Sequence, residues 1–147
     1  MSCNNVAPVE TPEQDTPAAG DPKELADDLK DSQARGLALV EAFYKEYTGI
    51  ILTYDEERYG ELDGIRRKYC GRELINRFDE LKPIFDPFLA DADVFPGLEN
   101  YKIAPYDDCI GWYTMSYKGY EGVTEVNVEV KEIEGELKIT TIGGWTD

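Results

Sequence analysis

The spacing of apolar residues changes once along this chain, and the change sets the class of fold. Between Leu37 and Leu81 apolar side chains recur every three or four residues, the repeat of one helix face. From Tyr101 onward they recur every second residue, the repeat of a strand with one face buried. Helices followed by a run of strands predict an α+β domain, with N-terminal helices packed on one face of a curved antiparallel sheet of three or four strands.

The helical half divides into segments. Residues 34–48 carry Leu37, Val40, Phe43, Tyr44 and Tyr47 as a core-facing stripe that Gly49 is expected to stop. Residues 61–69 place Leu62, Ile65 and Tyr69 on one face. Cys70-Gly71-Arg72-Glu73 reads as a helix start with Cys70 as N-cap. Leu74, Ile75, Phe78 and Leu81 form the stripe of the helix that follows, ended by Pro83. Three strands are expected at 109–117, 123–131 and 137–142, with Glu134-Gly135 as a tight hairpin between the last two. Ile133, and the three-residue step from Ile139 to Ile142, break strict alternation and predict bulges and a bent sheet.

Residues 1–31 differ from the rest. They hold four prolines, no aromatic residue, and eight acids against two lysines. Such a stretch buries too little apolar surface to offset its ordering entropy, so it is expected to be a flexible acidic tether, with a short helix over 22–31. Asp21 suits its N-cap, Pro22 its first position and Glu24 a capping box. Residues 32–147 then form the single domain. At 147 residues and a formal charge of −16, the chain has room for one domain and is a poor match for nucleic acid or an anionic lipid surface. It contains no histidine, which removes histidine-based nucleophilic catalysis and histidine-ligated zinc. No cofactor is expected.

The order of several motifs carries a resemblance. These are Ala42-Phe43-Tyr44-Lys45-Glu46-Tyr47, then Arg67-Lys68-Tyr69-Cys70-Gly71-Arg72-Glu73-Leu74. Asp86-Pro87-Phe88-Leu89-Ala90-Asp91-Ala92-Asp93 and Leu137-Lys138-Ile139-Thr140-Thr141-Ile142 follow. Over roughly residues 38–142 the chain resembles a domain-of-unknown-function family of small bacterial envelope lipoproteins, common in Bacteroidetes. The resemblance implies a cystatin-like, nuclear-transport-factor-2-like fold. That family has no established activity, so no catalytic residue is carried over. Met1-Ser2-Cys3-Asn4-Asn5 fits the junction of a lipoprotein signal, which implies lipid attachment at Cys3 and a place on the periplasmic side of a bacterial membrane.

Four constellations are candidates for function. Trp112, Tyr113, Tyr117, Tyr120 and Trp145 cluster on the strands; they are either sheet core or a binding surface, and alternation puts one set on the side away from the helices. Arg66, Arg67, Lys68, Arg72 and Arg77 form a basic island expected to pair with Glu125 and Glu129 or lie in solvent; the alternative is a patch for an anion or an acidic partner. Asp86, Asp91 and Asp93 are weak metal candidates, since aspartates in a proline-rich loop more often cap turns. Cys70 and Cys109 are expected to be buried reduced thiols, with a mutual disulfide as the alternative. The functional expectation is a non-enzymatic envelope protein that binds another envelope protein or a small ligand in the helix–sheet cleft. The alternatives are a small lyase- or isomerase-like enzyme using a pocket Asp and Tyr, and an inhibitor or immunity protein.

Overall fold

The computed structural model describes residues 22–83, 86–90, 96–106, 109–119 and 122–145. Its first element, α1 (Pro22–Ile51), runs unbroken for 30 residues. The expected short helix over 22–31 and the apolar stripe of 34–48 therefore belong to one helix, and the boundary drawn between 31 and 32 falls inside it. Gly49 does not stop this helix. Ile50 and Ile51 remain helical beyond it because both are buried in the core. The chain leaves the helix at Tyr54, whose φ of 55° is left-handed.

A short 3-10 turn (Glu56–Gly60) leads into α2 (Glu61–Tyr69), and α3 (Arg72–Leu81) follows after two residues. The N-cap of α3 is Gly71, not Cys70. Cys70 is extended and forms a parallel bridge to Ile139, and the Gly71 N–H donates to the Ile139 carbonyl at 2.9 Å. The junction between the two helices thus occupies part of the outer edge of the last strand.

A second 3-10 turn (Pro96–Asn100) precedes β1 (Lys102–Pro105), β2 (Trp112–Gly119), β3 (Gly122–Ile133) and β4 (Glu136–Ile142). They pair in chain order as an antiparallel meander. The molecule is α+β with a curved four-stranded sheet, as the change of periodicity predicts. β2 begins at Trp112 rather than 109, because residues 109–111 form a turn with Gly111 at φ 87°. Glu134 and Gly135, at φ 53° and 85°, make the expected hairpin.

The register between β3 and β4 shifts once, between Glu129 and Val130. Glu129 opposes Thr141 and Val130 opposes Ile139, so Thr140 is the extra residue of a bulge. Because of it Ile139 and Ile142, three positions apart, both face the core and are fully buried. Ile133 pairs regularly with Glu136 and needs no bulge. Val126, Val128 and Val130 share the buried face of β3, and Tyr113, Met115 and Tyr117 that of β2.

Between sheet and helices lies an aromatic core centred on Phe43. Its ring lies 4.6–5.8 Å from those of Tyr44, Tyr47, Tyr69 and Phe88. Gly36 of α1 lies against the end of the Tyr113 side chain, which reaches up from β2. A Cβ on Gly36 would stand 2.1 Å from the Tyr113 hydroxyl oxygen, which donates to the Gln33 carbonyl at 2.9 Å. Gly36→Ala is therefore expected to lower stability by about 1–3 kcal/mol through overpacking, despite the better helix propensity of alanine. Urea unfolding followed by circular dichroism checks this; an unchanged or raised midpoint would show that α1 is free to move off β2.

Candidate functional site

The aromatic candidates do not form one surface. Tyr113 and Tyr117 point to the helix side of β2 and are buried, with hydroxyls bonded to main-chain carbonyls. Trp112 alternates to the other face, yet is only 6% exposed. Trp145 is half-buried, its ring 4.8 Å from that of Phe78. Tyr120 lies outside the described residues.

The basic island is also dispersed. Arg67 bonds Asp63 at 2.8 Å and Asp79 at 3.3 Å, and Lys68 bonds Glu46 at 3.0 Å. The acids it meets are thus on α1, α2 and α3, not the expected Glu125 and Glu129 of β3; Glu129 instead meets Lys131 and the Thr141 hydroxyl. Arg72 and Arg77 are exposed. Arg66 turns inward, its guanidinium 4.7 Å from the Phe78 ring centroid and 3.9 Å from the nearest Asp63 oxygen.

Cys70 and Cys109 do not pair with each other, because Cys70 is free and Cys109 is disulfide-bonded. The expectation of two reduced thiols therefore fails at Cys109. Burial pushes the Cys70 thiol up to about 12, so it is a poor nucleophile near neutrality. Asp91, Asp93 and Cys3 lie outside the described residues. Among the described residues no three acidic or cysteine side chains come together as a metal site.

What the structure assembles is a polar chain centred on Asp86. Its Oδ1 accepts the Phe88 N–H at 2.9 Å and its Oδ2 accepts the Tyr47 hydroxyl. The Tyr47 oxygen in turn accepts Nη1 of Arg66 at 2.7 Å. The Arg66 Nε is buried with no hydrogen-bond partner. Two further tyrosines hold the same segment: Tyr44 donates to the Phe88 carbonyl at 2.8 Å and Tyr117 to that of Leu89 at 2.6 Å. Desolvation raises the Asp86 carboxyl above its ordinary range, against the lowering effects of Tyr47, the Phe88 N–H and Arg66. It raises the Tyr44 and Tyr47 phenols well above theirs. The site was hidden in the sequence because Tyr47 and Asp86 are 39 positions apart. The available hint is that Tyr44 and Tyr47 carry polar tips within an otherwise apolar stripe, and such tips need acceptors.

Asp86 is thus a compensated acid. Both carboxylate oxygens hold donors, and the Tyr47 proton is committed to one of them, so neither group is poised for proton exchange with a substrate. Recesses lie elsewhere on the surface. A groove of about 620 Å³ runs between α1 and α2, and one of about 390 Å³ lies between α3 and β4. A third, of about 380 Å³, lies along β1 and β2.

No family model matches the chain, and no curated protein matches it. Among solved structures, it is similar to a protein of unknown function from Bacteroides thetaiotaomicron. The two are 22% identical with a TM-score of 0.70, over 83% of this chain and 98% of that one. The likeness establishes a shared α+β fold.

The Asp86 network has a pH signature. A raised carboxyl means that the folded chain holds this proton more tightly than the unfolded chain does. Its contribution to stability therefore declines as pH rises from the unfolded value of about 3.9 through the folded one, and is level above it. Asp86→Asn lacks this titration. The urea midpoint of Asp86→Asn minus that of the wild type is expected to rise across the same interval; parallel profiles would refute the assignment.

Proposed function

We propose that the chain is a non-enzymatic binding module of a bacterial cell envelope that receives another envelope protein in the groove between α1 and α2. A disulfide at Cys109 fits the oxidising side of that envelope. The long α1 laid across a four-stranded antiparallel meander supports a cystatin-like, nuclear-transport-factor-2-like assignment.

The observation that carries this reading is the floor of the groove. Gly49 of α1 and Gly64 of α2 line it beside Ile50 and Ile65, and a Cβ at either glycine would meet nothing within 4 Å. Each glycine costs its helix roughly 0.5–1 kcal/mol relative to alanine, with no close packing in return. The missing side chains leave room for an incoming one. Lys45, Glu46, Arg58, Glu61 and Lys68 form a rim of mixed sign, in which Arg58 pairs with Glu61 and Lys68 with Glu46, both at 3.0 Å. An apolar floor with a polar rim is the anatomy of a protein-binding surface.

One observation favours the enzyme alternative: an aspartate and a tyrosine do meet, in Asp86 and Tyr47. Their mutual saturation, with rings of the aromatic core around them, argues for support of the 86–90 segment instead.

Stability and binding are expected to move in opposite directions in Gly49→Ala/Gly64→Ala. Its urea midpoint should rise, while recovery of the partner by crosslinking from membranes should fall, further still in Gly64→Leu. Undiminished recovery would overturn the groove assignment. The address is tested separately by cell fractionation: recovery with the envelope fraction is expected, and recovery in the cytoplasm would overturn it.

A further inference from the structure

The groove between α3 and β4 shows a different chemistry, independent of the α1–α2 reading. Glu73, Asn76 and Arg77 of α3 form one wall and Thr140 and Thr141 of β4 the other, with Leu74 beneath. Glu73 and Arg77 are four residues apart with the acid N-terminal, the favoured arrangement for a helical ion pair. Among the described residues neither makes an ion pair, although Arg67 and Lys68 nearby are both engaged by acids. An unneutralised cation and an unneutralised anion therefore line one recess.

The opposite wall adds polarity of one kind. The Thr141 hydroxyl donates to Oε1 of Glu129 at 3.0 Å on the sheet face opposite Val128 and Val130, and that of Thr140 donates to the Glu129 carbonyl at 3.4 Å. With their protons given to Glu129, both oxygens keep lone pairs and no donor for a ligand. Thr140 holds this position because it is the bulged residue, released from the pairing that binds its neighbours to β3.

The set therefore offers donors from Arg77 and Asn76 and acceptors from Glu73, Thr140 and Thr141. A carboxylate satisfies a guanidinium and an amide N–H; an ammonium satisfies a carboxylate and hydroxyl lone pairs. At about 390 Å³ the recess is in the lower part of the range for small-molecule sites. We propose that the α3–β4 groove binds a free α-amino acid, its carboxylate on Arg77 and Asn76 and its ammonium on Glu73 and the threonine oxygens.

The test is a ¹H–¹⁵N NMR titration with L-alanine, beside acetate and ethylammonium as half-ligands. Saturable shifts are expected at amides 73–77 and 140–141, with each half-ligand weaker by roughly tenfold or more. Arg77→Ala should abolish the response. Glu73→Gln should reduce L-alanine to the affinity of acetate. Both residues are exposed, and an unchanged spectrum elsewhere confirms an intact fold in each variant. No saturable response, a response undiminished in Arg77→Ala, or L-alanine no tighter than acetate would each overturn the proposal.

Discussion

A tyrosine ring placed in a core brings a hydroxyl that must find a partner there, since an unbonded one costs about 1–3 kcal/mol. This chain places Tyr44, Tyr47, Tyr69, Tyr113 and Tyr117 in or against its core, and every one of their hydroxyls is bonded. The partners determine where the rest of the chain runs. Tyr44, Tyr47 and Tyr117 converge on residues 86–89 from a helix and a strand, and Tyr113 ties the sheet to Gln33 of α1, about two turns ahead of Val40. The rings supply the apolar area and the hydroxyls supply the register between layers.

The buried carboxylate follows from the same constraint. Asp86 completes the hydrogen bonding of Tyr47, caps the turn that positions Phe88, and so sets the ring that stacks on Phe78 and packs at a tilt against Phe43. A group with the outward signs of a catalytic acid is thereby accounted for by packing. In the grooves, by contrast, the glycines and unpaired charges have no comparable packing role.

Legibility in the sequence follows the range of the interactions. The change of period announces helices then strands, the Ile139–Ile142 step announces the bulge, and Glu134-Gly135 announces the hairpin, all within a few residues. Gly49 misleads because local propensity opposes the burial of Ile50 and Ile51, and burial wins. Alternation shows that β2 has two aromatic sides; it carries no record of which one meets α1. For the basic island, Asp63 lies one helical turn from Arg67 and is within reach of a sequence argument. Asp79 and Glu46 belong to other helices, 12 and 22 positions from the cations they bond.

The link between α2 and α3 ties helix geometry to the sheet. Adding a single residue between Tyr69 and Arg72 would turn α3 by about 100° about its axis, carrying Leu74 and Phe78 away from the core. It would also draw Gly71 away from the Ile139 carbonyl. Length at this link is therefore discrete, and one extra codon is a harsher change there than many substitutions. The Glu134-Gly135 turn, exposed at the tip of its hairpin, carries no such restriction. Relatives of this chain are expected to vary in length at the hairpin tip and to share the two-residue spacing at the helix junction.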